Sequence, residues 1–200
     1  MNTLFPPELR TASVVQRWSI VRTFNKDSVA EHSFYVSYYA LQVARLIEWP
    51  GPYADLTFAA LMHDIEETFT GDVISPVKKQ IVDPGALSNF VTEQMKERLP
   101  GVEAQLDAIY ESMWGDSIAK IVRVADKVDA CIFLILEQRM GNTVLAPLHQ
   151  DAMENLVVAW HELGELIHEG GDLTAHRAQW NDQIYPALQA HWKYGSTGIT

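Results

Sequence analysis

Along most of the chain, apolar residues recur every three to four positions, the period of a helix with one buried face. Residues 28–48 open on Ser28-Val29-Ala30-Glu31, a capping-box pattern, and continue with Phe34, Val36, Tyr38, Leu41, Val43 and Leu46. Trp49-Pro50-Gly51-Pro52 ends that run. A second helix is predicted over 53–68, packing Leu56, Ala59, Ala60 and Leu61, with Gly71 just past its end. A third covers 84–98 and is broken by Pro100-Gly101; a short one follows through Leu106, Ile109 and Met113. Residues 116–140 carry Ile118, Ile121, Val122, Ala125, Val128 and Ile132 at helical spacing, and two more helices fit 148–168 and 172–192. No segment alternates with the period of a strand. The expected fold is all-α, in one domain spanning residues 1–200.

Composition narrows this little, and charge narrows it more. The 200 residues are 48% hydrophobic, enough for a sizeable core. The balance of 15 Lys+Arg against 26 Asp+Glu gives −11. That sum argues against a stable nucleic-acid complex or a polybasic membrane surface, both of which need clustered cations. No stretch approaches a membrane span, and residues 1–7 carry no secretory pattern, so the expected setting is the cytoplasm. A lone cysteine, Cys131, excludes an internal disulfide and reads as a small buried hydrophobe.

Candidate chemistry centres on His63-Asp64-Ile65-Glu66-Glu67. In a continuing helix Glu67 shares a face with both His63 and Asp64, which groups an imidazole with two carboxylates. Such a set suits a metal-activated water beside a proton acceptor, although a His-Asp pair also suits a solvated helix end. His32 lies in the first turn behind the capping box, and Asp72 follows the helix that carries Asp64. Asp126 sits within an apolar helix, where a carboxylate needs a partner. A metal would serve; so would Lys127 or Arg123 on the same helix. Two imidazoles with two carboxylates suit a first-row divalent ion. His149, His161, His168, His176 and His191 have no ligand spacing and read as surface or packing residues.

His32, His63-Asp64 and Asp126 resemble, in order and spacing, the H…HD…D signature of the HD-domain metal-dependent phosphohydrolases. Gln16-Arg17-Trp18, Val29-Ala30-Glu31-His32-Ser33, Leu61-Met62-His63-Asp64-Ile65-Glu66-Glu67 and the stretch Thr70 to Lys78 resemble the bacterial 5′-deoxynucleotidase branch. Trp18-Ser19-Ile20 resembles the base-pocket pattern of the related phage dATP triphosphohydrolases. The likeness spans about 13–140, with generic helices at about 148–192.

The resemblance implies an all-α HD-domain bundle with a divalent cation (Co, Mn, Mg or Zn) held by His32, His63, Asp64 and Asp126. It implies that Glu67 orients or deprotonates the attacking water, that Arg17 binds phosphate and that Trp18 packs against deoxyribose or base, with Ile20 beside it. Asp72 would lie near the sugar or the catalytic water. Lys78 and Lys79 are added as phosphate attractors, with a solvated helix start as their alternative. The reaction implied is hydrolysis at the 5′-phosphate of a 2′-deoxynucleotide. A monophosphate would yield deoxynucleoside and phosphate; a triphosphate would yield deoxynucleoside and tripolyphosphate. A non-catalytic nucleotide sensor is the alternative of another class. The resemblance also implies a homodimer or larger homo-oligomer. With Asp64, Glu67, Asp72 and Asp126 in one pocket, phosphate binding requires a cation and Arg17 to reverse the local sign.

Overall fold

The computed structural model describes residues 6–72, 84–168 and 172–193. Its helices are α1 Glu8–Thr11, α2 Val29–Leu46, α3 Tyr53–Met62, α4 Glu67–Thr70, α5 Pro84–Arg98 and α6 Pro100–Tyr110. They continue with α7 Gly115–Arg139, α8 Ala146–His168, α9 Thr174–Gln179 and α10 Tyr185–Lys193. No strand forms among the described residues; Gln16 and Ser28 share an isolated antiparallel bridge. The all-α expectation holds.

Helix α7 is the axis of the fold, packing on α2, α8 and α10. Its apolar stripe buries Ile118, Ile121, Val122, Ala125, Cys131, Ile132 and Ile135 against Val36, Ala40, Val43, Leu56, Leu156 and Leu163. Burial pushes the Cys131 thiol up to about 12, so it is an inert core residue. A smaller cluster of Ala12, Val29, Ile65, Met95 and Leu99 joins the N-terminal segment to α5.

Four expectations need correction. Along α2 the buried apolar positions are Val29, Val36, Ala40, Val43 and Ala44, whereas Phe34 and Tyr38 are more than half exposed. These two rings face away from the core, whereas Tyr39 packs against it. The helix expected over 53–68 stops at Met62, and Ile65, Glu67, Thr68 and Phe69 donate backbone bonds three residues back instead of four. That tighter winding leads into α4, which Gly71 ends at φ 72°, a conformation glycine reaches without Cβ strain. Pro100 starts α6 instead of only breaking α5, since a first-turn proline lacks an N–H the helix does not need. Finally, the helix expected over 172–192 widens into a π-turn at Trp180–Ile184. Pro186 has no N–H to return to the Asp182 carbonyl, so the ladder is displaced upstream of it.

Candidate active site

The site is assembled where the N-terminal segment crosses α2 and α7. The Ser28 hydroxyl accepts from Glu31 N at 3.2 Å, and Ser28 N donates to Glu31 Oε2 at 3.0 Å, completing the capping box. Arg17 N donates to Asp27 O at 2.8 Å and Val29 N to Val15 O at 3.0 Å. These bonds clamp residues 15–17 alongside 27–29 and set Arg17 beside the start of α2, where His32 occupies the first turn.

His32 is fully buried. Its Nε2 lies 3.1 Å from His63 Nε2, 3.4 Å from Asp64 Oδ2 and 3.4 Å from Asp126 Oδ1. His63 Nε2 lies 3.3 Å from Asp64 Oδ2. The far nitrogen of each ring is engaged: His32 Nδ1 donates to Asp129 Oδ2 at 2.7 Å and His63 Nδ1 to the Ala60 carbonyl at 2.8 Å. His63 thereby takes a carbonyl three residues back, at the point where α3 stops. Neutral rings would turn both Nε2 lone pairs toward the carboxylates, a cluster of mutually repelling acceptors that a cation, or a proton on His32, relieves. Burial disfavours a charged His32, yet the carboxylates of Asp126, Asp129 and Asp64 outweigh it and push its pKa up to about 10. Burial would raise the Asp64 carboxyl, but His63 and His32 hold it well below the carboxylate range. Asp126 is lowered too, burial being overcome by His32 and Lys127. A negatively polarised set of nitrogen and oxygen lone pairs, buried at His32 and half-buried at the other three, fits a divalent cation. His32, His63 and Asp64 each place a ligand atom within 4.8 Å of the others.

Asp126 lies within reach of both His32 and a cation on its own helix. Its Oδ2 accepts from Lys127 Nζ at 2.7 Å while Oδ1 faces His32; Arg123 pairs instead with Glu162 on α8. Arg17 NH1 reaches Asp27 Oδ2 at 3.2 Å and Asp129 Oδ2 at 3.4 Å, and NH2 lies 3.9 Å from Asp126 Oδ1. The guanidinium is thus fixed through one nitrogen, with the other turned toward the cluster. Trp18 adopts φ 59°, uncommon for a bulky residue, and is held there by Asp72 Oδ2, which accepts its backbone N–H at 2.9 Å. Its indole stacks on Phe133 at 5.2 Å and 6°. Asp72 is therefore a backbone anchor for Trp18. Glu67 is buried at the first position of α4. Ile20 lies at the surface, 70% exposed, and Lys78 and Lys79 fall outside the described residues.

Three carboxylates escaped the sequence reading. Asp27 and Asp129 grip Arg17, and Asp129 also grips His32. Glu137 is buried and accepts from Phe24 N at 2.7 Å, Asn25 N at 2.7 Å and Asn142 Nδ2 at 2.8 Å. A signal existed for two of them. Asp126, Asp129 and Glu137 recur at helical spacing, acidic positions on one side of α7. His176, set aside as a packing residue, is buried and stacked on Trp160 at 4.0 Å.

Several known proteins resemble this chain in sequence or in fold. A dATP triphosphohydrolase of Salmonella phage PMBT28 is 32% identical over 201 residues, covering 96% of this chain and 88% of the phage protein. The 5′-deoxynucleotidase PM0747 of Pasteurella multocida (strain Pm70) is 26% identical over 165 residues, covering 74% of this chain and 80% of that one. Among solved structures, the cyanophage S-2L HD phosphohydrolase DatZ, bound to dA and one catalytic Zn²⁺ ion, has a similar fold. Its TM-score is 0.64 at 19% identity, over 95% of this chain and 99% of that chain. An HD-domain phosphohydrolase from Listeria innocua has a TM-score of 0.66 at 20% identity, over 93% and 89%. The model of the 5′-deoxynucleotidase YfbR-like family matches residues 5–165, and the chain belongs to that family of HD-domain phosphohydrolases.

Proposed function

We propose that this chain hydrolyses the 5′-phosphate ester of 2′-deoxynucleotides, and that its substrate is a deoxynucleoside 5′-monophosphate, released as deoxynucleoside and inorganic phosphate. The observation that carries this reading is the convergence of His32, His63, Asp64 and Asp126 beside a tethered Arg17. His32, His63, Asp64 and Asp126 would hold a divalent cation. Such an ion, when bound, supplies a Lewis acid for the phosphate and lowers the pKa of water. Glu67 accepts the proton of the attacking water from its buried place on α4. Arg17 NH2 meets a phosphate oxygen while NH1 stays with Asp27 and Asp129, so the charge that develops as the P–O5′ bond breaks meets an oriented donor. Trp18, fixed by Asp72 and Phe133, forms a flat wall for the sugar and crowds a 2′-hydroxyl.

The family match to a 5′-deoxynucleotidase model supports the monophosphate. Among the described residues, the cations in contact with the site carboxylates are Arg17 and Lys127, a charge suited to one phosphate. The phage relative at 32% identity favours a second reading, a triphosphohydrolase acting on dATP-type substrates. Retention of the ligand set and Glu67 supports catalysis over a binding-only sensor. The exposed Phe34, Tyr35 and Tyr38 face of α2 supports self-association as a homodimer or larger assembly, read by light scattering.

The purified protein with Mn²⁺ or Co²⁺ is offered each deoxynucleoside mono- and triphosphate, and phosphate and tripolyphosphate are measured side by side. Phosphate from monophosphates is the expected result. Tripolyphosphate selects the second reading, and release of neither overturns both.

A further inference from the structure

Asp129 follows Asp126 by three residues and faces the same way from α7. It is 5% exposed. Its Oδ2 receives His32 Nδ1–H at 2.7 Å and Arg17 NH1 at 3.4 Å, from residues 97 and 112 positions away in the chain. We infer that Asp129 is a positioning residue that orients His32 and Arg17 together, joining the metal-holding half of the site to its phosphate-holding half. The inference rests on the deoxynucleotidase reading given above.

The physical case has two parts. An imidazole that donates from Nδ1 to a fixed carboxylate has one tautomer and one ring orientation, with the Nε2 lone pair directed at the metal position. His32 is fully buried, so its Nδ1–H has no bulk solvent to turn to in place of the carboxylate. The same oxygen also sets Arg17. With NH1 between Asp27 and Asp129, the guanidinium cannot turn without breaking charged hydrogen bonds, and NH2 stays near Asp126. Asp27 could hold Arg17 alone, but its ion pair reaches only the arginine, whereas Asp129 reaches both. A displacement of His32 would therefore be felt at Arg17, and the reverse, through one oxygen atom.

That difference supplies the test. Mn²⁺ affinity is measured by calorimetry without nucleotide, and KM for a deoxynucleoside monophosphate at saturating Mn²⁺. The variants are Asp129→Ala, Asp129→Asn, Asp27→Asn and His32→Ala, each checked for its melting midpoint by circular dichroism. Asp129→Ala should weaken Mn²⁺ binding about 10–100-fold and raise KM as well. Asp129→Asn keeps an acceptor of the same shape, so it should recover most of the Mn²⁺ affinity while KM stays raised. Asp27→Asn should raise KM and leave Mn²⁺ affinity at the parent value. A folded Asp129→Ala with Mn²⁺ affinity within about threefold of the parent overturns the inference. Should Asp129→Ala not fold, Asp129→Asn with parental KM overturns it instead. Loss of Mn²⁺ in His32→Ala but not in Asp129→Ala defeats only this inference; parental binding in His32→Ala defeats the metal reading beneath it too.

Discussion

Glu137 offers the sharpest test of how the site is supported. It is fully buried on α7, and three N–H donors converge on it: Phe24 N and Asn142 Nδ2 on Oε2, and Asn25 N on Oε1. The segment it holds begins a few residues beyond Arg17 and Trp18. In Glu137→Gln the shape is kept, but one oxygen becomes an amide donor. Its least costly orientation puts that amide against Asn25 N–H, since this loses one bond where the other orientation loses two. The part-buried Asn25 N–H then loses its acceptor at a cost of about 1 kcal/mol, and the two remaining bonds lose their charge assistance. A total of about 2–3 kcal/mol is expected. For a chain of this length that corresponds to a melting midpoint lower by roughly 5–10 °C. Denaturant melts give the free energy, and steady-state kinetics should show KM for the nucleotide raised more than kcat is lowered, because the Arg17–Trp18 segment loosens while the metal-holding set stays. A loss under about 0.5 kcal/mol with unchanged KM would refute the account of Glu137 as the anchor of this segment.

Asp64→Ala should lose bound metal and activity together, whereas Glu67→Gln should keep its metal by elemental analysis and lose about 10²–10⁴-fold in kcat. A pH effect follows from His32 and Asp64 once the cation is stripped by a chelator. The raised His32 pKa contributes stability that is full below 6.5 and is lost as pH rises through about 10. The lowered Asp64 pKa contributes stability that is present above 3.8 and is lost as pH falls. Urea melts of chelated protein should therefore weaken from about pH 6 to about pH 9.5, and a flat profile would count against the carboxylate field around His32. Away from the site, a Cβ on Gly164 would meet His176 Cδ2 at 2.4 Å. Gly164→Ala should therefore disturb the His176–Trp160 stack and cost about 1–3 kcal/mol, seen as a lower melting midpoint with metal affinity unaltered.

Local chemistry was legible in the sequence. The capping box at Ser28 and Glu31 and the apolar stripes of α7 depend on neighbours within a turn or two, and the structure shows both. The residues at His32, His63, Asp64 and Asp126 could be named because their side-chain types and order are themselves the signal, and the fold brings these four together. Tertiary structure decided the rest. Whether Asp126 meets Lys127 or His32 depends on the rotation of α7 against α2, and the structure lets it meet both. The partnerships of Asp129 with His32 and of Glu137 with Phe24 span 97 and 113 residues, beyond the reach of any local pattern. The end of α3 at His63 was hidden for the same reason: helical periodicity runs through it, but the imidazole takes the Ala60 carbonyl as its ring turns toward His32. Sequence determined which groups could do the chemistry, because reactivity belongs to the side chain. Only the packing of α2, α3 and α7 determined their distances, their tautomers and the carboxylates that hold them, because those depend on helices crossing at one depth and rotation.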